Sequence, residues 1–249
     1  MEGLFHIPHA STNIPEKYLK YFRLNSNDLN SEILKMTDHF TDDLFDIALP
    51  GFETIKFPVS RLLVDPERFV SDADEVMSKV GMGCIYEKTH DGKALKESSQ
   101  IRNELIKRYY EPHHSFFSKI VDGKLRLNSK VLIVDCHSFP KKPLPYELNQ
   151  NPDRAEICIG TDEFHTPRNI TEFLVKSFSE QGFSVSINKP FSGAIVPMKF
   201  YRTEASVRSV MIEVRRDIYM DEKTGEKTEN FVLVYNKISK ILTSLDSLE

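Results

Sequence analysis

The stretch that most limits what this chain can fold into is Val131-Leu132-Ile133-Val134-Asp135-Cys136-His137-Ser138. An aliphatic run rich in β-branched residues reads as a strand buried on both faces, and such strands belong to sheets covered by helices on each side. Polar residues follow at once. In open α/β sheets the carboxyl ends of the strands open into the crevice where ligands bind, so His137 is expected at an active-site edge. Two other segments end in the same way, Leu4-Phe5-His6-Ile7-Pro8-His9 near the start and Val210-Met211-Ile212-Glu213-Val214-Arg215 near the end.

With 249 residues, 40% hydrophobic and 28% charged, the chain can bury an ordinary core, and one α/β domain over 1–249 is expected. The net charge is only −4 and the basic residues are scattered, which argues against nucleic acid or a membrane surface as partner. Cys84, Cys136 and Cys158 are odd in number and show no CxxC pairing, so reduced thiols and a cytoplasmic protein are expected. No signal-peptide pattern precedes the first strand, and no apolar run approaches membrane-spanning length.

Residues 3–7 read as the first strand, followed by a polar loop from His9 to Pro15. The apolar spacing from Ser26 to Leu49 predicts one helix carrying Asp38, Asp42 and Asp43 on or near its polar side, stopped by Pro50-Gly51. Strands are expected at 52–59 and 61–64, then a long irregular loop over 69–98 of the kind that often forms a lid. A helix from Glu97 to Tyr110 should be interrupted or kinked at Pro112 and resume to Ile120. Beyond the proline-rich 139–153 segment, strands are expected at 157–160, 183–187 and 207–214, with helices at 166–181 and 230–245.

Two histidines at strand exits plus a carboxylate match the ligand set of a hydrolytic zinc site, which keeps one position open for water. His9 and His137 are the candidate ligands. Taken singly, either ring can instead merely cap a strand end. His6 is a poor third, because residues three apart on a strand face opposite ways. Asp38 and Asp42, four apart on one expected helical face, are the candidate acidic ligands, and both can equally be solvated surface acids. Asp135 can orient a ligand histidine from behind. Glu213 sits in an apolar strand, where burial would raise its pKa toward the range of a general base, unless it pairs with Arg215 or Arg216. Arg61 and Arg68 offer forked donors suited to a substrate carboxylate, with Asp65 and Glu67 as competing internal partners. Ser192 and Gly193 can line the opposite wall, and His114 is a further substrate-facing candidate. No GxSxG elbow, P-loop, GxGxxG or HExxH is present.

Taken together and in order, several motifs resemble the N-formylglutamate amidohydrolase family. They are His9 in Pro8-His9-Ala10-Ser11, Asp38 in Thr37-Asp38-His39-Phe40, Arg61 to Arg68, Pro112-His113-His114, Asp135-Cys136-His137-Ser138, Pro190-Phe191-Ser192-Gly193-Ala194, and Glu213-Val214-Arg215-Arg216. The resemblance implies a three-layer α/β/α fold with a mixed, mostly parallel central sheet, like that of zinc carboxypeptidases and the phosphorylase/hydrolase-like folds. It implies one Zn²⁺, or another divalent transition metal, held by His9, His137 and Asp38. Glu213 and Arg61 become the catalytic groups, with Arg61 and Arg68 as carboxylate clamp and Asp42 supporting from behind. The implied reaction is hydrolysis of an acidic N-acyl amino acid, with N-formyl-L-glutamate giving formate and L-glutamate, by a monomer or homodimer. A metallo-amidase acting on a peptide or peptidoglycan-like amide, or a non-catalytic carboxylate binder, are the alternatives. The chain departs from the family pattern at Glu67, where Asn is usual, and at Ala194, where a second Gly is usual.

Overall fold

Every residue from Val131 to Phe139 is buried in the computed structural model, which describes residues 1–247. This strand, β3, lies inside a six-stranded sheet with β1 (Gly3–Ile7), β2 (Phe52–Lys56), β4 (Ile157–Gly160), β5 (Val185–Ile187) and β6 (Val207–Arg215). The order is β2-β1-β3-β6-β4-β5, and every neighbouring pair is parallel except β4 with β6. Two of the three strands that end in chemistry-bearing residues, β3 and β6, are adjacent and run the same way, and β1 flanks β3 on its other side.

Alternation along the strands sorts their side chains into two layers. Phe5, Leu132, Val134, Val210 and Ile212 face one side, where Leu174 and Phe178 of α6 (Arg168–Glu180) and Ile238 and Leu242 of α7 (Phe231–Thr243) cover them. Leu4, Val131, Ile133 and Val207 face the other, against Phe117 and Val121 of α5 (Glu111–Leu127). The architecture is thus α/β with helices on both faces of a mixed, mostly parallel sheet. A further apolar cluster, including Tyr18 of the short helix α1 (Glu16–Leu19), Leu62, Leu63, Tyr86 and Leu105, supports the long loop beside the sheet. Cys84, Cys136 and Cys158 are buried free thiols. No helix among the described residues is long and apolar enough to cross a membrane.

Three expectations are corrected. The segment 26–49 is not one helix: α2 (Ser26–Met36) stops, Phe40 takes a left-handed conformation at φ 62°, and a single turn, α3 (Thr41–Leu44), resumes. The break follows a contact that local spacing cannot reveal, in which the Asp38 N–H donates to the His9 carbonyl at 3.0 Å. Residues 61–64 form a buried turn rather than a strand, with the amides of Leu63 and Val64 folding back onto the Ser60 carbonyl at 2.8 and 3.2 Å. An apolar run reads alike in a buried strand and a buried turn. Lastly, the helix is distorted just before Pro112 but not interrupted there, and it runs beyond Ile120. A short α4 (Arg102–Leu105) passes through a π-helical turn at Ile106–Tyr110 directly into α5. The wider turn accommodates the missing proline N–H, and the helix runs on to Leu127.

Candidate active site

At the carboxyl edge of the sheet, His9 lies two residues past β1 and His137 two residues before the end of β3, and their Nδ1 atoms stand 3.3 Å apart. Asp38 Oδ2 lies 3.1 Å from His137 Nδ1 and 3.7 Å from His9 Nδ1. Zinc–ligand bonds of ~2.0–2.1 Å in a tetrahedron give ligand-to-ligand edges of about 3.4 Å, so this triangle has the size of a zinc face. A carboxylate stands at the far edge of each ring. His9 Nε2 donates to Asp65 Oδ1 at 2.9 Å, and His137 Nε2 lies 3.2 Å from Asp135 Oδ1 without a hydrogen-bond partner. The proton held on His9 Nε2 turns the His9 Nδ1 lone pair toward His137 and Asp38, which is how a carboxylate behind a histidine prepares it for a cation.

The turn carrying Asp38 is tied down from several directions. Arg216 Nη1 donates to the Thr37 carbonyl at 2.7 Å, the Tyr219 hydroxyl to the His39 carbonyl at 2.8 Å, and the Thr41 hydroxyl to the Asp38 carbonyl at 2.8 Å. Asp42, one helical turn further, lies elsewhere. Its half-exposed carboxylate is 4.0 Å from Lys56 Nζ at the surface. The helix break between the two acids separates them, so Asp42 neither competes with Asp38 nor supports the site.

The pocket is rich in negative charge. Burial opposes protonation of His9 and of His137, yet both pKa values are raised, by Asp65 and Asp38 for the first and by Glu67, Asp135 and Asp38 for the second. Asp38 is held far below the carboxylate range, because hydrogen bonds to both rings and the charge of Arg61 outweigh burial. Imidazoles drawn toward the cationic form by surrounding carboxylates mark a place where a divalent cation is electrostatically welcome.

Glu67 offers a second possible acid. One donor atom each from His9, Glu67 and His137 lie within 4.8 Å of one another, as do donors from His6, Glu67 and Asp135. Glu67 Oε2, however, meets His137 at Nε2, 3.1 Å away, on the edge that Asp135 already engages, and stands 3.9 Å from His9 Nδ1. Asp38 instead faces the Nδ1 edge of both rings, at 3.1 and 3.7 Å. His6 points away from His9 and hydrogen-bonds Asp135 at 2.9 Å and His113 at 3.0 Å.

Glu213 pairs in register with His137 across β3 and β6. Burial, reinforced by Asp38 and Glu67, pushes its pKa up to about 8, and Oε2 has no hydrogen-bond partner. A desolvated, unpaired carboxyl beside the donor triangle is the chemistry a proton carrier needs. Arg61 is less free than its sequence suggests, since Nη2 donates to Asp65 at 3.0 Å and Nη1 lies 3.6 Å from Asp38. Arg68 keeps only a 3.9 Å approach to Asp65, and the Nε of each of the two arginines lacks a hydrogen-bond partner. These groups line a cavity of about 630 Å³, together with Ser192, Gly193 and His114. His114 borders it but holds the loop, its Nε2–H donating to the Pro66 carbonyl at 2.7 Å.

The model of the N-formylglutamate amidohydrolase family matches residues 1–220. This chain belongs to that family. The family comprises hydrolases of linear amide C–N bonds, and the chain is an enzyme of that class. In structure it is similar to an N-formylglutamate amidohydrolase from Ralstonia eutropha JMP134, at 20% identity, with a TM-score of 0.86, covering 100% of this chain and 94% of the other. It is also similar to the gene product Atu2144 from Agrobacterium tumefaciens, at 18% identity and a TM-score of 0.62, covering 98% and 92%. No curated protein matches the chain in sequence.

Within this amidohydrolase, reading by sequence passed over Asp65 as a mere ion-pair partner of the arginines. Its carboxylate accepts from His9, Arg61 and the Tyr86 hydroxyl, the last at 2.6 Å. The signal was present, because Leu62-Leu63-Val64-Asp65 has the same apolar-then-acid form as the central strand. Arg216 was read only as a partner for Glu213, whereas it fixes the turn that presents Asp38.

Proposed function

We propose that this amidohydrolase cleaves the amide of an N-acyl amino acid with the help of one zinc ion held by His9 Nδ1, Asp38 and His137 Nδ1. N-formyl-L-glutamate, giving formate and L-glutamate, is the reference substrate. The observation that carries the reading is the triangle of 3.3, 3.1 and 3.7 Å between three buried donors beside an unpaired Glu213 carboxyl. A divalent ion there supplies polarisation of the acyl carbonyl and acidification of a water molecule.

The chain's own groups do the rest. Arg68, the guanidinium with the weaker internal pairing, takes the substrate carboxylate in a forked hydrogen bond. Arg61 holds Asp65 and Asp38 in place and contributes positive charge at the carbonyl side of the cleft. Glu213 removes a proton from the attacking water and returns it to the departing nitrogen, a transfer suited to a carboxyl whose pKa burial raises above the ordinary range. Asp65 keeps the His9 imidazole in one tautomer, and Asp135 places negative charge beside the His137 ring.

The test is to measure zinc content and formate release together. One zinc per chain, with formate released in proportion to bound zinc, is expected. Zinc-free protein that hydrolyses N-formyl-L-glutamate at full rate, or Asp38→Ala protein that binds zinc as tightly as wild type, would overturn the assignment.

A further inference from the structure

We infer that the substrate carries one carboxylate and a bulky apolar arm, extending well beyond N-formyl-L-glutamate. This rests on the amide-hydrolysis reading above and concerns what else the same cavity holds. Among the described residues, Phe69, Val76, Leu148 and Met198 are large apolar side chains left exposed, Leu148 at 84% and Met198 at 63%. All four line the mouth of the catalytic cavity. They come from separate segments, the 69–98 loop, the proline-rich excursion and the loop before β6, which converge only in the folded chain. Exposed apolar surface gathered around a polar floor marks a place where a ligand covers it.

Charge points the same way. Arg61 is already paired with Asp65 and Asp38, and the Glu67 carboxylate adds negative charge beside His137 at the cavity floor. Of the arginines lining the cavity, Arg68 is the least tied by internal pairing, with only a 3.9 Å approach to Asp65, so it is the group left to take one substrate carboxylate, and a second carboxylate would meet the negative charge of the floor. A formylated glutamate fits the floor and leaves the rim bare. At about 630 Å³ the cavity is of the size that receives ligands much larger than a formylated amino acid, within the ~300–1,000 Å³ usual for binding pockets. The excursion bearing Leu148 is a fixed wall. Arg154 and Glu147 form a buried ion pair beneath it, and Arg154 also donates to the Asn149 carbonyl at 3.0 Å.

The experiment compares kcat/KM for two series with the zinc-loaded enzyme. One lengthens the acyl group from formyl through acetyl to hexanoyl on L-alanine. The other keeps formyl and changes the amino acid among glutamate, alanine, leucine and phenylalanine. Full burial of a methylene gives about fourfold. A half-open rim gives about twofold per carbon, so a rise of at least tenfold across one series is expected, and the series that rises names the arm. Leu148→Asp should lower the ratio of long-arm to short-arm kcat/KM at least threefold. Turnover of N-formyl-L-glutamate with no rise in either series would overturn this inference while leaving the proposed reaction intact. Failure to cleave any amide would instead remove the reaction, and calorimetric binding of the uncleaved compounds would then decide. Tighter binding of the long-arm compounds supports the inference, and equal binding refutes it.

Discussion

Replacing Asp135 with asparagine tests whether the two imidazoles are prepared for a cation by the carboxylates behind them. Asp135 is 2% exposed and stands 3.2 Å from His137 Nε2 and 2.9 Å from His6 Nδ1. Asparagine keeps the shape and removes the negative charge beside His137 Nε2. Losing such a partner typically weakens metal binding by ~10–100-fold, equivalent to about 1.4–2.7 kcal/mol. At saturating zinc that loss subtracts directly from the stabilisation zinc provides. For a chain of this size, ~2–4 °C of melting temperature accompanies each kcal/mol, so the zinc-induced rise should shrink by about 3–11 °C. The assay is a pair of melting curves, zinc-loaded and chelated, for wild type, Asp135→Asn and Asp38→Asn. Asp38→Asn removes a donor itself and should lose more. An undiminished zinc-induced rise in Asp135→Asn, with Asp38→Asn strongly affected, would refute the preparation argument.

Glu213→Gln should retain zinc and substrate affinity while kcat falls ~10²–10⁴-fold, read by formate release and zinc content. Undiminished turnover would remove Glu213 from the reaction. Phe117→Ala should cost about 3–5 kcal/mol in urea unfolding, because Phe117 is fully buried and its ring stacks on His6 at 4.8 Å. Lys96 is buried, its ammonium donates to the Leu62 and Tyr86 carbonyls, and burial pushes its pKa down to about 7. The unfolded chain keeps that proton up to about pH 10.4. Between these values the unfolded state binds more protons, so the lysine's contribution to stability rises with pH. Unfolding measured at pH 6.5 and 9.5 should show wild type gaining on Lys96→Met, and a constant difference would contradict the burial argument.

Much of the site was legible along the chain because its residues sit at the ends of strong local patterns. Val131 to Val134 had to be an interior strand, which delivered His137, and Glu213 followed from a polar residue inside Val210-Met211-Ile212. His9 followed from the same logic at the end of β1. These readings need only alternation and burial, which are properties of neighbouring residues.

Other features depend on contacts between distant segments, and periodicity carries no record of them. Asp38 and Asp42 share a helical face only while the helix continues. The bond from the Asp38 amide to the His9 carbonyl ends it and sends one acid to the histidines and the other to solvent. Arg61 and Arg68 look equivalent in sequence, and packing of Asp65 against the first leaves the second freer. Local patterning therefore put two imidazoles at strand exits and a carboxyl inside an apolar strand. Only the folded chain decided that they meet at one sheet edge, which acid stands beside them, which arginine is less tied by internal pairing, and which apolar side chains gather at the cleft's mouth, because those choices are made by hydrogen bonds and burial between segments far apart in sequence.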